Sequence, residues 1–312
     1  MANTPVAIVV GASRGIGRQI AIDLAKKGYA VVVAGKTTSV ASKCSPFPPD
    51  PNSQKSTINT VVREITDSGG EALAAQLDVR DFQNIESMVD QTIRKYGRLD
   101  VLVYNSGAIW WASVQATPMK RFQLLQRVNP EGLYGTVQAC LPHLYKNGED
   151  GKRKGRIVVI SPPIYRRFLR GKTAYAMGKF GMSALTMGMA IDLEREGRTE
   201  MAITSLWPAA AVESAATQNP QTNRAELRKP TIFSDAVLAI INSPTKDVNG
   251  RCVLDEDFLR EHEGITDFDK YSLVPGSAPR RIMPKSFPTL RVEEEDDEGR
   301  RMDSSLLRTT KL

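Results

Sequence analysis

Two histidines in 312 residues, His143 and His262, leave little room for histidine-based catalysis or a His-rich metal site. Three cysteines, Cys44, Cys140 and Cys252, are an odd count without metal or redox spacing. They fit a reducing compartment, and no metal is expected. No apolar run reaches the roughly 18 residues needed to span a bilayer. Met1-Ala2-Asn3-Thr4 leads straight into the first apolar run, so no secretory leader is expected. The net charge is +7. It comes without a basic helix or interleaved aromatics, so nucleic acid is not an expected partner. No internal repeat and no second globular domain are visible.

What is there begins at the N-terminus. The apolar run Val6-Ala7-Ile8-Val9-Val10 is followed directly by Gly11-Ala12-Ser13-Arg14-Gly15-Ile16-Gly17. A buried strand, a glycine loop and a helix start in that order make a phosphate cradle. Gly11 allows the sharp turn, Gly15 lets backbone approach a diphosphate, and Gly17 lets the helix pack on the strand. Further strands are expected at 30–35, 72–78, 100–104, 155–161, 202–207 and 251–254. Helical patterns fall near 15–27, 57–68, 82–96, 118–146, 174–196 and 231–242. Pro142 is expected to kink the fourth of these or end its regular part. The alternation predicts an α/β fold, a Rossmann-type doubly wound parallel sheet of about seven strands with helices on both faces.

Residues 1–274 read as one domain. Within it, 37–56 carries Ser45-Pro46-Phe47-Pro48-Pro49-Asp50-Pro51, which fits neither helix nor central strand. It is expected as an exposed insertion beside a cofactor's adenosine end. Residues 208–228 are expected as a substrate lid. Residues 275–312, with the acidic block Glu293-Glu294-Glu295-Asp296-Asp297-Glu298, are expected as a disordered tail.

Tyr175-Ala176-Met177-Gly178-Lys179 opens an amphipathic segment, and positions i and i+4 share a helix face. An ammonium one turn away favours a phenolate and readies the tyrosine for proton exchange with a carbonyl or alcohol oxygen. Together, Gly11–Gly17, Asp78-Val79, Tyr104-Asn105-Ser106-Gly107, Asn129 and Tyr175/Lys179 resemble, in order, the motifs of the short-chain dehydrogenase/reductase family. The likeness spans about residues 5–255. Ser161-Pro162-Pro163, Ala174-Tyr175 through Gly181-Met182-Ser183, Leu206-Trp207-Pro208 and Asp255-Glu256-Asp257 are similar to a hydroxysteroid dehydrogenase-like subgroup. The sterol-carrier domain of that subgroup's longer members is not expected here.

The resemblance implies roles. Tyr175 is the general acid/base. Lys179 lowers its pKa and holds the nicotinamide ribose. Asn129 kinks the fourth helix and holds a water. Gly11, Ser13, Arg14, Gly15, Ile16 and Gly17 bind the cofactor, with Asn105 and Gly107 as a wall. Asp78 and the Val79 amide meet the adenine, and Pro208 and Val212 frame the carboxamide. Three departures stand out. Tyr104 replaces the usual first asparagine, and Ala209 replaces a glycine. Pro162 stands where the catalytic serine is expected, thirteen residues before Tyr175. Either Ser161 takes that serine's place or the substrate oxygen has no serine partner.

Ala34-Gly35-Lys36-Thr37-Thr38 ends the second strand without a carboxylate to hold a ribose 2′-hydroxyl. Lys36 and Arg14 suit a 2′-phosphate, so NADP(H) is the expected cofactor. Trp110, Trp111, Tyr165 and Phe168 are expected to line a pocket for an apolar or aromatic carbonyl or alcohol. Arg166, Arg167 and Arg170 suit an acidic appendage. Rival readings are dehydration or isomerisation on the same scaffold, and a catalytically weakened NADP(H)-binding sensor. A homodimer or homotetramer is expected through the fourth and fifth helices. The expected location is the cytoplasm, with the peroxisome as alternative, carried by Thr310-Lys311-Leu312.

Overall fold

Strands buried on both faces read as unbroken apolar runs, and four segments here do so. They are β1 (Val6–Val10), β2 (Ala30–Gly35), β4 (Val101–Tyr104) and β5 (Gly155–Ile160), with every residue of each buried. The computed structural model describes residues 4–146 and 155–291. With β3 (Glu71–Gln76), β6 (Met201–Trp207) and the edge strand β9 (Cys252–Leu254) they form one parallel sheet of seven strands. Its order is β3-β2-β1-β4-β5-β6-β9. A short parallel pair, β7 (Ala211–Val212) and β8 (Leu227–Arg228), stands apart.

Alternate residues of each strand feed opposite layers. Ala7, Val9, Val31 and Val33 pack with α1 (Gly15–Lys26), α2 (Ile58–Asp67) and α7 (Thr231–Asn242). Ile8, Val10, Val32 and Leu102 pack with α3 (Phe82–Tyr96), α5 (Gly132–Tyr145) and α6 (Thr173–Arg195). The crossover β1-α1-β2 and its counterpart β4-α5-β5 diverge from the centre of the sheet. That divergence opens a crevice above the carboxyl ends of β1 and β4, which pair directly.

The long fourth helix is broken, but not at Pro142, which lies inside α5 three residues from its end. The break is a π-helical turn, Arg127–Glu131, between α4 (Met119–Gln126) and α5. Pro130 inside it has no amide to donate, which loosens the ladder there. A one-turn helix α8 (Thr245–Val248) and a helix α9 (Asp255–Glu263) complete the domain. The sequence reading missed α9, whose first turn is Asp255, Glu256 and Asp257. Those acids sit at the positive end of the helix, where they stabilise it.

The expected tail is corrected over residues 281–287. Arg281 bridges Ala210, and the Ile282 and Met283 amides donate to the Ala209 carbonyl at 2.8 and 3.2 Å. Arg281 forks onto Asp257 with two bonds of 2.6 Å. These partners lie far back in the chain, so composition alone suggested disorder. The acidic block from Glu293 and the Thr310-Lys311-Leu312 terminus lie outside the described residues.

Candidate active site

The glycine loop takes its shape from two hydrogen bonds. The Gly11 and Ala12 amides donate to the Ala34 carbonyl at 2.8 and 3.0 Å, tying the loop to the end of β2. Gly11 has φ +82°, which disfavours a side chain. A Cβ on Gly17 would stand 2.3 Å from the Gly11 carbonyl oxygen and 2.5 Å from Asn105 Nδ2. Only glycine lets α1 close on the loop. Asn105 Nδ2 donates to Gly11 O at 3.0 Å, which joins the segment after β4 to the loop. The Gly15 amide is taken by the Pro51 carbonyl at 2.9 Å. Among the described residues the Ile16 and Gly17 amides at the start of α1 have no partner, the usual state of a first helical turn and the donor set an anion needs. Ser13 contributes its carbonyl to the Ser56 hydroxyl at 2.7 Å.

At the far end of the crevice, Arg14 Nη2 donates to Thr37 Oγ1 at 3.2 Å, across the tip of β2. Lys36 Nζ meets Asp78 Oδ2 at 3.2 Å, and Arg80 grips the same carboxylate. The Arg80 bond, more than the Lys36 one, holds the Asp78 carboxyl well below the usual carboxylate range. Asp78 thus stays ionised and offers acceptor oxygens at the rim. Val79 is buried and touches the place where a Cβ of Gly132 would lie, 2.9 Å from Cγ2.

Gly107, Asn129 and Lys179 converge at the near end. A Cβ on Gly107 would sit 3.4 Å from Lys179 Nζ and 3.5 Å from Asn129 Oδ1. Asn129, in the π-helical turn, spends its amide on the Ala108 backbone, accepting at 2.8 Å and donating at 3.2 Å. Tyr104 braces this turn from below, its hydroxyl donating to the Val128 carbonyl at 2.6 Å. Lys179 Nζ donates to the Ile160 carbonyl at 2.7 Å and lies 5.3 Å from the Trp207 ring centre. Burial pushes its ammonium down to about 7. Tyr175, one turn earlier on α6, is buried, and its hydroxyl makes no hydrogen bond among the described residues. Burial holds the phenol well above its usual range. The expected pull of Lys179 on this phenol does not appear. The ammonium is itself desolvated and turned to Ile160, so burial dominates.

Aromatic side chains surround Tyr175. Trp111, 66% exposed, meets Tyr175 edge-on at 6.3 Å. Phe168 packs against Tyr175 at 6.2 Å and Trp207 at 5.8 Å. Trp110 packs against the same cluster, with the Arg121 guanidinium 4.7 Å from its ring centre. Tyr165 points to the C-terminal strap, its hydroxyl against Met283 Sδ at 3.3 Å and its ring 5.4 Å from Phe287. Trp207, Met283 and Phe287 pack with Tyr165 and Phe168 and lie outside the residues expected from the sequence to line a pocket. Pro208 leads into Ala209, whose amide donates to Asp255 Oδ1 at 2.8 Å; Val212 is buried in β7. The Pro208–Ala210 loop after β6 is therefore pinned from two sides, by Asp255 at the start of α9 and by residues 281–283.

Ser161 is corrected. Its hydroxyl is fully buried and bonds Ser205 Oγ at 2.8 Å and Ser183 Oγ at 3.0 Å, inside the core. Ser161 shares strand parity with Ile157 and Val159, which face the α6 layer. That alternation was the sequence signal for its direction. Pro162 offers no hydroxyl, and its carbonyl accepts from Ser183 at 2.6 Å.

Among the described residues, no cluster of acids, His or Cys is fit to hold a metal, and no helix is long and apolar enough to cross a membrane. A dinucleotide fits these groups: among the described residues the Ile16 and Gly17 amides have no partner and the Tyr175 hydroxyl makes no hydrogen bond, and Gly107 keeps a side chain away from Lys179 and Asn129.

A family model described as short chain dehydrogenase matches residues 5–45 and 52–224, leaving out 46–51. The chain is 38% identical over 272 residues to hydroxysteroid dehydrogenase-like protein 2 of Mus musculus, covering 86% of this chain and 51% of that protein. The chain thus spans about half the length of that curated relative. A short chain dehydrogenase structure from Mycobacterium thermoresistibile is 32% identical with TM-score 0.76, covering 92% of this chain and 98% of that one. A 7α-hydroxysteroid dehydrogenase complexed with NADH and 7-oxo glycochenodeoxycholic acid is 27% identical with TM-score 0.62, covering 80% and 92%.

Proposed function

The chain belongs to the short-chain dehydrogenase family of oxidoreductases, and from that premise we propose that it interconverts a carbonyl and an alcohol on an apolar or aromatic small molecule, using NADP(H). The observation that carries the reading is the corner formed by Gly107, Asn129 and Lys179, with Tyr175 one turn before Lys179 on α6 and Asn105 tied to the glycine loop. When bound, the nicotinamide dinucleotide supplies the hydride to the carbonyl carbon or takes it back. Tyr175 moves the matching proton at its phenol oxygen. A phenol kept neutral by burial suits donation to a carbonyl oxygen, which favours the reductive direction. Lys179, poised near neutrality, holds the nicotinamide ribose and resupplies the proton. Asn129 fixes the Ala108 backbone beside them. Pro208 and Val212 frame the carboxamide, and Trp111 and Phe168 hold the substrate's apolar body.

Arg14 and Lys36 at the tip of β2, with no carboxylate on that strand end, support the 2′-phosphate. Asp78 and Val79 take the adenine. Titration with both nucleotides checks this; NADH binding as tightly as NADPH would overturn it. A second reading has a specific observation behind it. The hydroxyl of Ser161 is turned into the core and Pro162 has none, so a donor to the developing oxyanion is missing. That favours a nucleotide-binding sensor with weakened catalysis. Incubating the chain with NADPH and a panel of ketones, quinones and aldehydes separates the two. Consumption of NADPH with any carbonyl supports the reductase. Tight NADPH binding without consumption supports the sensor.

A homodimer or homotetramer through α5 and α6 accompanies this reading. The cytoplasm is the proposed compartment, with peroxisomal import as alternative; relocation on deleting Leu312 from the full chain would decide for import.

A further inference from the structure

The insertion at 37–56 is only half exposed. Its second part turns inward: Pro49, Asn52, Ser56 and Thr57 are buried. Two hydrogen bonds fasten it to the glycine loop, Gly15 N–H to Pro51 O at 2.9 Å and Ser56 Oγ to Ser13 O at 2.7 Å. Between these fasteners lies Asn52, 5% exposed, its backbone amide held by Asp50 Oδ1 at 2.8 Å. Its side-chain Oδ1 is buried and has no hydrogen-bond partner among the described residues. That atom faces Gly15. A Cβ built there would lie 3.3 Å from Asn52 Oδ1 and 3.4 Å from Ser214 Cβ. Three separate segments, the glycine loop, the insertion and Ser214 of the 208–228 segment, therefore meet over one glycine. Next to it are the two unpartnered amides of Ile16 and Gly17.

A buried side-chain oxygen without a partner is costly, and proteins rarely leave one so without a use. A side-chain amide carries two donors and an acceptor, and rotation about its last bond decides which faces inward. The ligand that suits two backbone amides, a helix start and a carboxamide together is an anion with several oxygens. We propose that residues 49–56 form a clasp on the diphosphate of the bound dinucleotide, with the Asn52 side-chain amide donating to a phosphoryl oxygen. The proposal rests on the dinucleotide reading above. It adds a contact from a segment that the family match leaves out in part, 46–51, and borders. The clasp explains why the insertion surrenders the Gly15 amide: the Pro51 carbonyl uses that donor to seat Asn52. It also makes nucleotide exchange depend on opening the Gly15–Pro51 and Ser13–Ser56 bonds.

The test is nucleotide binding to the full chain, read by calorimetry and by stopped-flow release of NADPH fluorescence. Asn52→Ala should weaken NADPH about 10-fold and speed its release, as expected for losing one hydrogen bond to a charged group. Asn52→Asp, which sets a carboxylate against the diphosphate, should weaken it about 100-fold. Adenosine 2′-phosphate, which lacks the diphosphate, should bind all three proteins alike. Circular dichroism checks folding, and Asn52→Ala carries the test alone where Asn52→Asp does not fold. Equal NADPH affinity in wild type and Asn52→Ala overturns the clasp, and so does an equal loss for adenosine 2′-phosphate. Failure of the wild type to bind any dinucleotide overturns the functional reading instead.

Discussion

Ser161 and Asp255 show how a single side chain's direction changes its chemistry. Ser161 joins a buried hydroxyl chain with Ser205, Ser183 and Thr186. Ser161→Ala should therefore cost about 1–2 kcal/mol of stability by denaturant titration and leave kcat/KM nearly unchanged. A catalytic donor would instead cost about 10²-fold or more in rate, and that result would restore Ser161 to the site. Asp255 is fully buried; its Oδ1 accepts from the Ala209 and Glu256 amides, and its Oδ2 has no partner. Burial pushes its carboxyl from 3.8 up to about 7. Between those values the folded protein holds a proton that the unfolded chain has lost, so stability falls as pH rises through the window. The contribution is full below pH 3.8 and gone above about 7. Asp255→Asn, which keeps an acceptor oxygen and carries no charge, should flatten the decline of Tm between pH 4 and 7. A Tm profile parallel to wild type would contradict this. Residue by residue, the sequence was most legible where backbone geometry demands one residue type. Gly11 and Gly17 could be nothing else. For Ser161 two alternatives stayed open, because distance from Tyr175 does not fix a side chain's direction and strand parity does.

The strands were legible as elements because burial on both faces leaves an unbroken apolar signature, as in Val31-Val32-Val33. The two segments that read as structureless are the ones that touch the site through single backbone bonds. Proline runs carry no periodicity, so nothing in Pro48-Pro49-Asp50-Pro51 announces that Pro51 reaches Gly15. The strap at 281–287 is similar: its partners Ala209, Asp257 and Tyr165 lie 24 to 118 residues away in the chain. Those contacts make a prediction. The strap pins Ala209 from one side while Asp255 holds it from the other, and it packs on Tyr165, a neighbour of Phe168. Arg281→Ala removes its bidentate anchor on Asp257 and its bond to the Pro284 carbonyl at 2.7 Å. Loosening the Ala209 loop and the aromatic wall should lower kcat/KM for a carbonyl about 10-fold or more while NADPH affinity holds. Unchanged kcat/KM would show that the strap only covers surface.

At the scale of the whole molecule, α6 serves two ends. One face carries Tyr175 and Lys179 into the crevice. Another presents Met177, Ala184, Gly188 and Ile191, one stripe at spacings of seven, four and three. Met177 is 50% and Ile191 41% exposed, and no charge interrupts the stripe. An apolar face of this kind suits burial against a second copy. Met177→Glu with Ile191→Glu should shift the protein from dimer or tetramer to monomer in sedimentation; an unchanged species would place the interface elsewhere. Because the same helix carries Tyr175 and Lys179, the proposed assembly and the proposed chemistry would share one support. The most direct test of the account is single-turnover reduction of an accepted carbonyl by NADPH-loaded protein, wild type beside Tyr175→Phe. The account predicts unchanged NADPH affinity and a rate lower by about 10²–10⁴-fold. A Tyr175→Phe protein that binds NADPH and reduces the carbonyl at the wild-type rate would contradict it.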